Sequence, residues 1–504
     1  MENEEPEIDR SLKNLLRDGL ASQIMFSLVT VPIISSYLAL MKASPLLIGF
    51  VAGIPYLSQL VQIPSVYIAE KYSRKKICLI YNLLSRISLL LIAIALAIDF
   101  DNSVSLVVIL FTAYTVFKEA SSLPWSSWMR DLIPDNMRGK IYSKRIANGK
   151  FIALFAVLSF AVLFNYLGSP AFILLFMTAF LAGAVSLYFI TGIDDVDVET
   201  KGKRNLREPF KNINFVRLTS SLSLWRFASG MSTPFFSVYI ISVLNYPLWV
   251  VITLASVSQL SSTYFLRISG KMMDMFGNKP LTILSFSSFS LAALLFTFTT
   301  MPERHPLTPM ILVLIYIIDG FYSNIPPIAV MNMIAKITPK GNSASYYAAN
   351  NVASSLFGAL GSLTGGIIAS GLLYLNFGIK IDIESTIGFL QIPAIHLAGY
   401  DFLFLISAFL SVLSVKILRK FEESNAVDEE LVKEEIRKAV YQDVLSVISH
   451  TPLVTVLDGF SAKFMAQMRT QDVFQSSLGV KINPNKQFEF APGKIEDIEK
   501  IKEN

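Results

Sequence analysis

GKMMDMFGNKP, residues 270–280, joins two long apolar runs with a glycine, an aspartate, a second glycine and two lysines. About 200 residues earlier AEKYSRKK, residues 69–76, joins two other apolar runs with a similar mix. A charged phrase that recurs between greasy segments at a constant offset marks an internal repeat, and a repeat this long fixes the architecture of the whole chain.

The runs around the two bridges are apolar because most of the chain is. Its 504 residues are 53% hydrophobic and 16% charged, with a mean hydropathy of +0.53. A soluble protein of this size carries about 25% charged residues, so a bilayer is the expected main solvent. A hydrocarbon core of about 30 Å needs about 20 apolar residues per helix. By that measure twelve spans are expected, at 19–41, 46–69, 77–98, 104–129, 148–167, 170–191, 216–243, 247–269, 281–300, 309–335, 349–376 and 397–418. The segment 377–396 is ambiguous, and its second half is a candidate to dip into the membrane. The N-terminus, MENEEPEIDR, is acidic where a signal peptide begins basic, so the first apolar run reads as a retained span.

Orientation follows from the short connections, since Lys and Arg are retained on the cytoplasmic side. Lys71, Arg74, Lys75, Lys76, Arg138, Lys140, Lys144, Arg145, Lys201, Lys203, Arg204 and Lys271 all follow even-numbered spans. The connections after odd-numbered spans hold Lys42, Arg304 and Lys380. Both termini are therefore expected in the cytoplasm, in a multi-pass protein of the cell membrane.

The longest polar break, 192–215, splits the spans into six plus six. Pro32 aligns with Pro234 and Pro124 with Pro326, each 202 residues apart. The bridges align at 204, and Pro134 with Pro339 at 205. The expected organisation is a cytoplasmic N-terminus (1–18), a six-helix half (19–191), a linker (192–215), a second six-helix half (216–420) and a cytoplasmic tail or small domain (421–504). The fold class is an all-α membrane protein of twelve transmembrane helices in two pseudo-symmetric halves.

These features resemble the major facilitator superfamily, over about residues 15–420. Its signature between helices 2 and 3 reads roughly G-x-L-A-D-R-x-G-R-R. The second bridge matches it more fully, through Gly270, Met273, Asp274, Gly277 and Lys279. The first keeps Ala69, Glu70, Lys71, Arg74 and Lys75 but has Val66 and Ser73 where glycines are expected. An acid at a helix C-terminus faces the unfavourable end of the dipole, so Glu70 and Asp274 need cations or helix N-termini as partners. The resemblance implies that such contacts latch the halves in one state and release in the other. A plain topological anchor is the blander account. The stretches 128–145 and 333–351 resemble the family's loop between helices 4 and 5 and its repeat.

Ionisable residues at membrane depth are costly and point to function. Arg86, Lys118, Glu119, Arg226 and Asp319 lie near the middle of spans. The resemblance implies that helices 1, 4, 7 and 10 line a central cavity, and Glu119, Arg226 and Asp319 fall on that set. After the 202-residue offset Asp319 sits two positions from the equivalent of Glu119, near the level where transporters place substrate and coupling ions. Glu119 or Asp319 is the candidate proton carrier and Arg226 a counter-charge or substrate anchor. The alternative is a structural ion pair of Glu119 with Arg86 or Arg226. Tyr37, Trp225, Tyr239, Tyr322 and Asn324 are candidates to shape the pocket, and each suits ordinary packing as well.

The function expected is secondary active transport of a small organic solute by alternating access, with protons among the candidate coupling ions. A non-transporting sensor or scaffold on the same fold is the alternative. A membrane-embedded transferase fits less, because the outer connections are short and the acidic cluster Asp194-Asp195-Val196-Asp197 lies in the cytoplasmic linker. Span 5 lacks the Gly-Pro pattern common in the family's antiporters, which weighs against a drug exporter. No nucleotide loop of the G-x-x-x-x-G-K-[ST] type is present, and the three histidines lie far apart without metal-ligand spacing, so no cofactor or metal is expected. The basic residues are accounted for by topology, so no nucleic-acid partner is expected. The partners expected are the lipid bilayer and the solute, with the chain acting as a monomer. In the tail, Leu431, Val432, Ile436, Val440, Val444 and Ile448 fall at near-helical spacing.

Overall fold

The computed structural model describes residues 4–62, 64–65, 73–98, 103–195, 207–300, 305–339, 343–372, 376–385 and 388–423. Glu70 and Lys71, the tail beyond residue 423 and the side chain of Asp274 lie outside the described residues.

Among the described residues, twelve helical segments follow the expected order. The first, α1, is in two pieces, Glu4–Leu28 and Val31–Leu40, and is followed by α2 (Pro45–Ser58, continued by a 3-10 turn, Gln59–Val61). Next come α3 (Arg74–Ile98), α4 (Ser103–Leu132), α5 (Asp135–Leu167) and α6 (Ala171–Thr191). The second set is α7 (Ile213–Ser242), α8 (Leu248–Phe276), α9 (Asn278–Thr297), α10 (Thr308–Ile337), α11 (Ser343–Leu372) and α12 (Tyr400–Arg419). Ten of the segments are long and apolar enough to cross a bilayer, with a shorter apolar helix at Pro45–Val61. The remaining helix, α7, has ample length but is rich in serine. Those serines are spent inside the protein: Ser221 donates to the Ser414 carbonyl (2.8 Å), and Ser407 donates to Ser232 (2.8 Å). A helix surrounded by other helices can be polar without meeting lipid.

Local signals place the helix ends. Pro45 stands in the first turn of α2, where a missing N–H costs nothing, and Ser44 caps it by accepting from the Leu47 N–H (3.3 Å). Asn212 caps α7 by accepting from the N–H groups of Asn214 and Phe215 (3.0 and 3.3 Å). In the second charged bridge, Gly277 is the sole residue between α8 and α9 and takes φ +92°. That conformation is essentially restricted to glycine, which explains the second glycine of GKMMDMFGNKP. Gly270 has no such constraint, and a Cβ there would meet nothing within 4 Å.

The packing repeats as the sequence does. In the first half α1 packs on α5 and α6, α3 on α4 and α6, and α2 on α4. The second half has the equivalent set: α7 on α11 and α12, α9 on α10 and α12, and α8 on α10. Three main contacts join the halves: two seams, α2 against α11 and α5 against α8, which the pseudo-two-fold exchanges, and the second piece of α1 against α7. A hydrogen bond between elements keeps the register: Ser58 of α2 donates to Thr115 of α4 (3.1 Å), and Ser261 of α8 donates to the Ile317 carbonyl of α10 (2.6 Å). The donors are 203 residues apart and the acceptors 202.

Outside, large apolar side chains face away from the protein, among them Ile109, Phe151, Met310, Ile367 and Phe409, each more than half exposed. Hydrocarbon is the solvent that suits such a surface, and the chain is a multi-pass integral membrane protein.

One segment departs from the all-helical expectation. Residues Asn376–Ser385 and Gly388–Ala398 form an antiparallel hairpin between α11 and α12, in place of the membrane dip that the sequence allows in the second half of 377–396. Its register shifts between Ile379 and Lys380, opposite Pro393, a residue that lacks the N–H a regular ladder needs. The N-terminal helix also starts at Glu4 and not at residue 19, which carries Asp18 inside the bundle.

Candidate functional site

The expected site residues separate into four clusters. On α4, Glu119 bonds Lys118 (Nζ to Oε1, 3.0 Å) and accepts from Gln62 at the end of α2 (2.8 Å). The Lys118 ammonium also lies 5.6 Å from the centre of the Phe26 ring. Glu119 therefore carries its own counter-charge within the first half, and its partner is neither Arg86 nor Arg226.

On α10, Asp319 is held differently. Ser258 of α8 and Tyr322 one turn along α10 hydrogen-bond it. Among the described residues no cation pairs with it. The backbone crossing there is close, since a Cβ on Gly320 would stand 2.5 Å from the Ser262 nitrogen of α8. A carboxylate surrounded by neutral donors at a tight helix crossing is the kind of group that can gain and lose a proton without breaking an ion pair.

Arg226 and Lys150 stand on the two seams. Arg226 of α7 reaches the side-chain oxygen of Gln59 on the first half (3.5 Å), which also accepts from Ser355 of α11 (2.6 Å). Lys150 of α5 reaches Ser262 of α8 (3.0 Å) and the side-chain oxygen of Asn324 on α10 (3.4 Å). Asn324 thus meets a cation from the opposite half. Lys150 is absent from the sequence reading because it lies just inside span 5, close behind the basic stretch 128–145, where a lysine passes for a topological anchor.

Arg86 belongs to a structural network in the first half. It donates to the Gly183 carbonyl (3.2 Å), Ser85 (2.9 Å), Ser186 (3.4 Å) and the side-chain oxygen of Asn82. Ser186 in turn donates to Asp18 (2.6 Å), which also takes Arg145 of α5 (2.8 Å). The ion pair that holds helices together here is Asp18 with Arg145, and Asp18 falls within the stretch 1–18 expected as a cytoplasmic N-terminus.

The aromatic candidates are packed. Tyr37 meets Phe172 edge-on (5.2 Å). Trp225 stacks on Phe286 of α9 (4.8 Å). Tyr239 is fully buried with its hydroxyl on Thr300 (2.8 Å) and Asp401 (3.3 Å). Tyr322 combines packing on Phe289 (5.2 Å) with its bond to Asp319, which ties it to one of the charges expected at the site.

Glu70 and the Asp274 side chain lie outside the described residues, and at the charged bridges acids from other positions meet the starts of α3 and α9. Arg74 at the start of α3 pairs with Asp131 at the end of α4 (2.5 Å), with Lys75 following it on the same turn. Ser73 donates to Asp195 (2.5 Å), four residues past the end of α6. Glu423, four residues past the end of α12, accepts from the N–H groups of Asn278 and Lys279 (3.0 and 2.6 Å) and from Lys336 (2.7 Å). Lys279 completes the exchange by donating to the carbonyls of Arg419 and Phe421 (2.9 and 2.7 Å), at the negative end of α12. Burial raises the Glu423 carboxyl pKa, and the bonds from Asn278, Lys336 and the two backbone N–H groups overcome this and hold it below the usual range. The signals were Asp195 in IDD and Glu423 in FEE, acids just beyond the last helix of each half.

A sequence model described as the Major Facilitator Superfamily matches residues 19–362. No curated protein sequence matches the chain significantly. Solved structures share the fold at low identity. A single-site mutant of the nucleoside transporter NupG is 15% identical, with a TM-score of 0.62 over 82% of this chain and 100% of that one. A D-xylose-proton symporter is 16% identical, with a TM-score of 0.59 over 83% and 98%. The xylose transporter XylE from E. coli in an inward-open conformation is 15% identical, with a TM-score of 0.57 over 84% and 98%.

Proposed function

Because this chain belongs to the Major Facilitator Superfamily, we propose that it is a proton-coupled secondary transporter of a small organic solute, working by alternating access of its halves, 19–191 and 216–420. The observation that carries the coupling is Asp319, a carboxyl between α8 and α10 with Ser258 and Tyr322 as partners and no cation among the described residues. Protonation there exchanges one hydrogen-bonded form for another. At Glu119 it would strand Lys118, which is the costlier event. Asp319 is therefore the proton carrier, and Glu119 a charge that keeps α4 in place.

The seam of α2 and α11 supports an inward-facing reading of this state. The helices touch from Gly49 against Gly366 down to Gln59 against Ser355, and Pro45 begins α2 on the side that the positive-inside rule places outside the cell membrane. The termini and both charged bridges are then cytoplasmic.

The test is solute-dependent proton movement in liposomes carrying the full chain, read with an internal pH dye against sugars, nucleosides, organic acids and amino acids. The expected result is a proton signal for one class that Asp319→Asn abolishes and Glu119→Gln only reduces. Solute uptake with pH dependence unchanged in Asp319→Asn would overturn the assignment.

A further inference from the structure

Arg226 and Lys150 are related by more than their positions on the seams. Arg226 belongs to the second half and reaches Gln59 on the first, while Lys150 belongs to the first half and reaches Ser262 on the second. Gln59 and Ser262 are equivalent positions: they lie 203 residues apart, directly after Ser58 and Ser261, whose matching bonds set the register of the two halves. Each half thus sends one cation across to the same level of the other. Their side-chain acceptors are neutral oxygens of Gln59, Ser262 and Asn324, and neither cation meets a carboxylate among the described residues. The acids nearest in kind are engaged elsewhere, Glu119 with Lys118 and Gln62, Asp319 with Ser258 and Tyr322.

A cation held between helices without counter-charge is expensive, because desolvation is not repaid by neutral acceptors. Each half carries one such cation, so the cost arises twice. A negatively charged ligand would offset both at once. Guanidinium offers a planar fork suited to carboxylate or phosphate, and the ammonium a compact charge that follows the same anion.

We infer that Arg226 and Lys150 form a two-sided site for an organic anion, a solute carrying carboxylate or phosphate, gripped from both halves. The inference deepens the transporter reading by naming its solute class and rests on that reading for the word solute. It also separates this chain from the sugar and nucleoside transporters it resembles in fold, whose named cargoes are neutral. Reciprocal grip gives the anion a role in the cycle: bound to both seams, it ties halves that otherwise meet at these points through weak contacts with neutral groups.

The experiment measures binding first and transport second. Purified full-length protein, in detergent and in vesicles of phosphatidylcholine alone, is titrated with succinate and glucose 6-phosphate and with their uncharged counterparts succinamide and glucose, reading thermal stabilisation and heat of binding. At least one anion is expected to bind, competitively with chloride, while its uncharged counterpart does not. Arg226→Gln and Lys150→Gln are each expected to weaken it about tenfold or more, with Arg226→Lys retaining part of the affinity and confirming that the chain still folds. No binding by any of these anions, equal binding of the neutral compounds, or unchanged affinity in both glutamine variants would overturn the site. Stabilisation that appears only when phosphatidylglycerol is added would also overturn it, assigning the cations to an anionic lipid headgroup. Uptake in the same vesicles separates the two ideas: anion binding without uptake would sink the transporter reading and leave the site, and uptake of a neutral solute without anion binding would do the reverse.

Discussion

Glu423 shows how one residue can tie three helices. Its side chain is 1% exposed and takes the N-terminal N–H groups of α9, the side chain of Lys336 at the end of α10, and a position just beyond α12. Hydrogen bonds to a charged group contribute about 1.5–3 kcal/mol each when buried; Lys336 is 43% exposed, so its share is smaller. Glu423→Gln is expected to cost about 1–3 kcal/mol, read as a lowered Tm. The sign of the pH dependence follows from the depressed folded pKa. Glu423 stabilises fully above its unfolded pKa, about 4.3, and that stability is lost as pH falls through the folded value. Wild type should lose stability more steeply than Glu423→Gln below about pH 4; parallel slopes would refute the role. Asp319, Glu119 and Arg226 were legible in sequence because a charge inside an apolar run is conspicuous. Lys150, Asp18 and Glu423 were not, because each lies near a run's edge, where charges are ordinary.

Between elements, α11 is packed by backbone as much as by side chains. A Cβ on Gly361 or Gly365 would stand 2.2 Å from the carbonyl oxygen of Phe227 or Met231 on α7. A backbone oxygen cannot rotate aside, so the helices would have to separate. Gly361→Ala and Gly365→Ala are each expected to cost about 1–3 kcal/mol and to lower folded yield and Tm. Gly371→Ala, with nothing within 4 Å, should leave both unchanged; equal losses in all three would point to helix propensity and not to packing. Gly358, Gly361, Gly365, Gly366 and Gly371 are visible in the sequence of α11 and suit close packing, but the sequence does not show which helix they meet. The hairpin was legible in part, since NFGIKIDIES sets Phe377, Ile379, Ile381 and Ile383 at every second position, the period of a strand. The adjoining span made the segment read as membrane. The break in α1 at Val29 and Thr30, before Pro32, was likewise half visible: Pro234 occupies the equivalent place in α7 and the helix runs through it.

For the molecule as a whole, the contact that defines its state is Gly49 of α2 on Gly366 of α11. A Cβ on Gly49 would lie 2.5 Å from the Ser362 carbonyl oxygen and 2.7 Å from the Gly366 Cα. Since this seam joins two halves that move apart in the proposed cycle, Gly49→Leu is expected to act as a wedge that opens this end without unfolding either half. Tyr56 of α2 lies on this seam, its ring 2.7 Å from where a Cβ on Gly358 of α11 would stand. The buried Cys78 is the one native thiol, so a Tyr56→Cys variant can report on the seam. An impermeant maleimide should label Tyr56→Cys several-fold faster when Gly49→Leu is also present. Labelling unchanged by the wedge would mean that the seam does not open.

Hydropathy, the 202-residue offset and the basic connections determined by themselves that the chain is a membrane protein of duplicated six-helix halves, because each is a property of local composition or of order along the chain. The tertiary structure alone decided which charge answers which: Glu119 to Lys118, Asp18 to Arg145, Glu423 to the start of α9, Asp319 to neutral groups, and Arg226 and Lys150 to the opposite half. Charge partnership falls off within a few ångströms, and helices far apart in sequence approach that closely only where particular side chains and glycines let them. A one-dimensional pattern can mark a charge as costly, and only the fold supplies what offsets it.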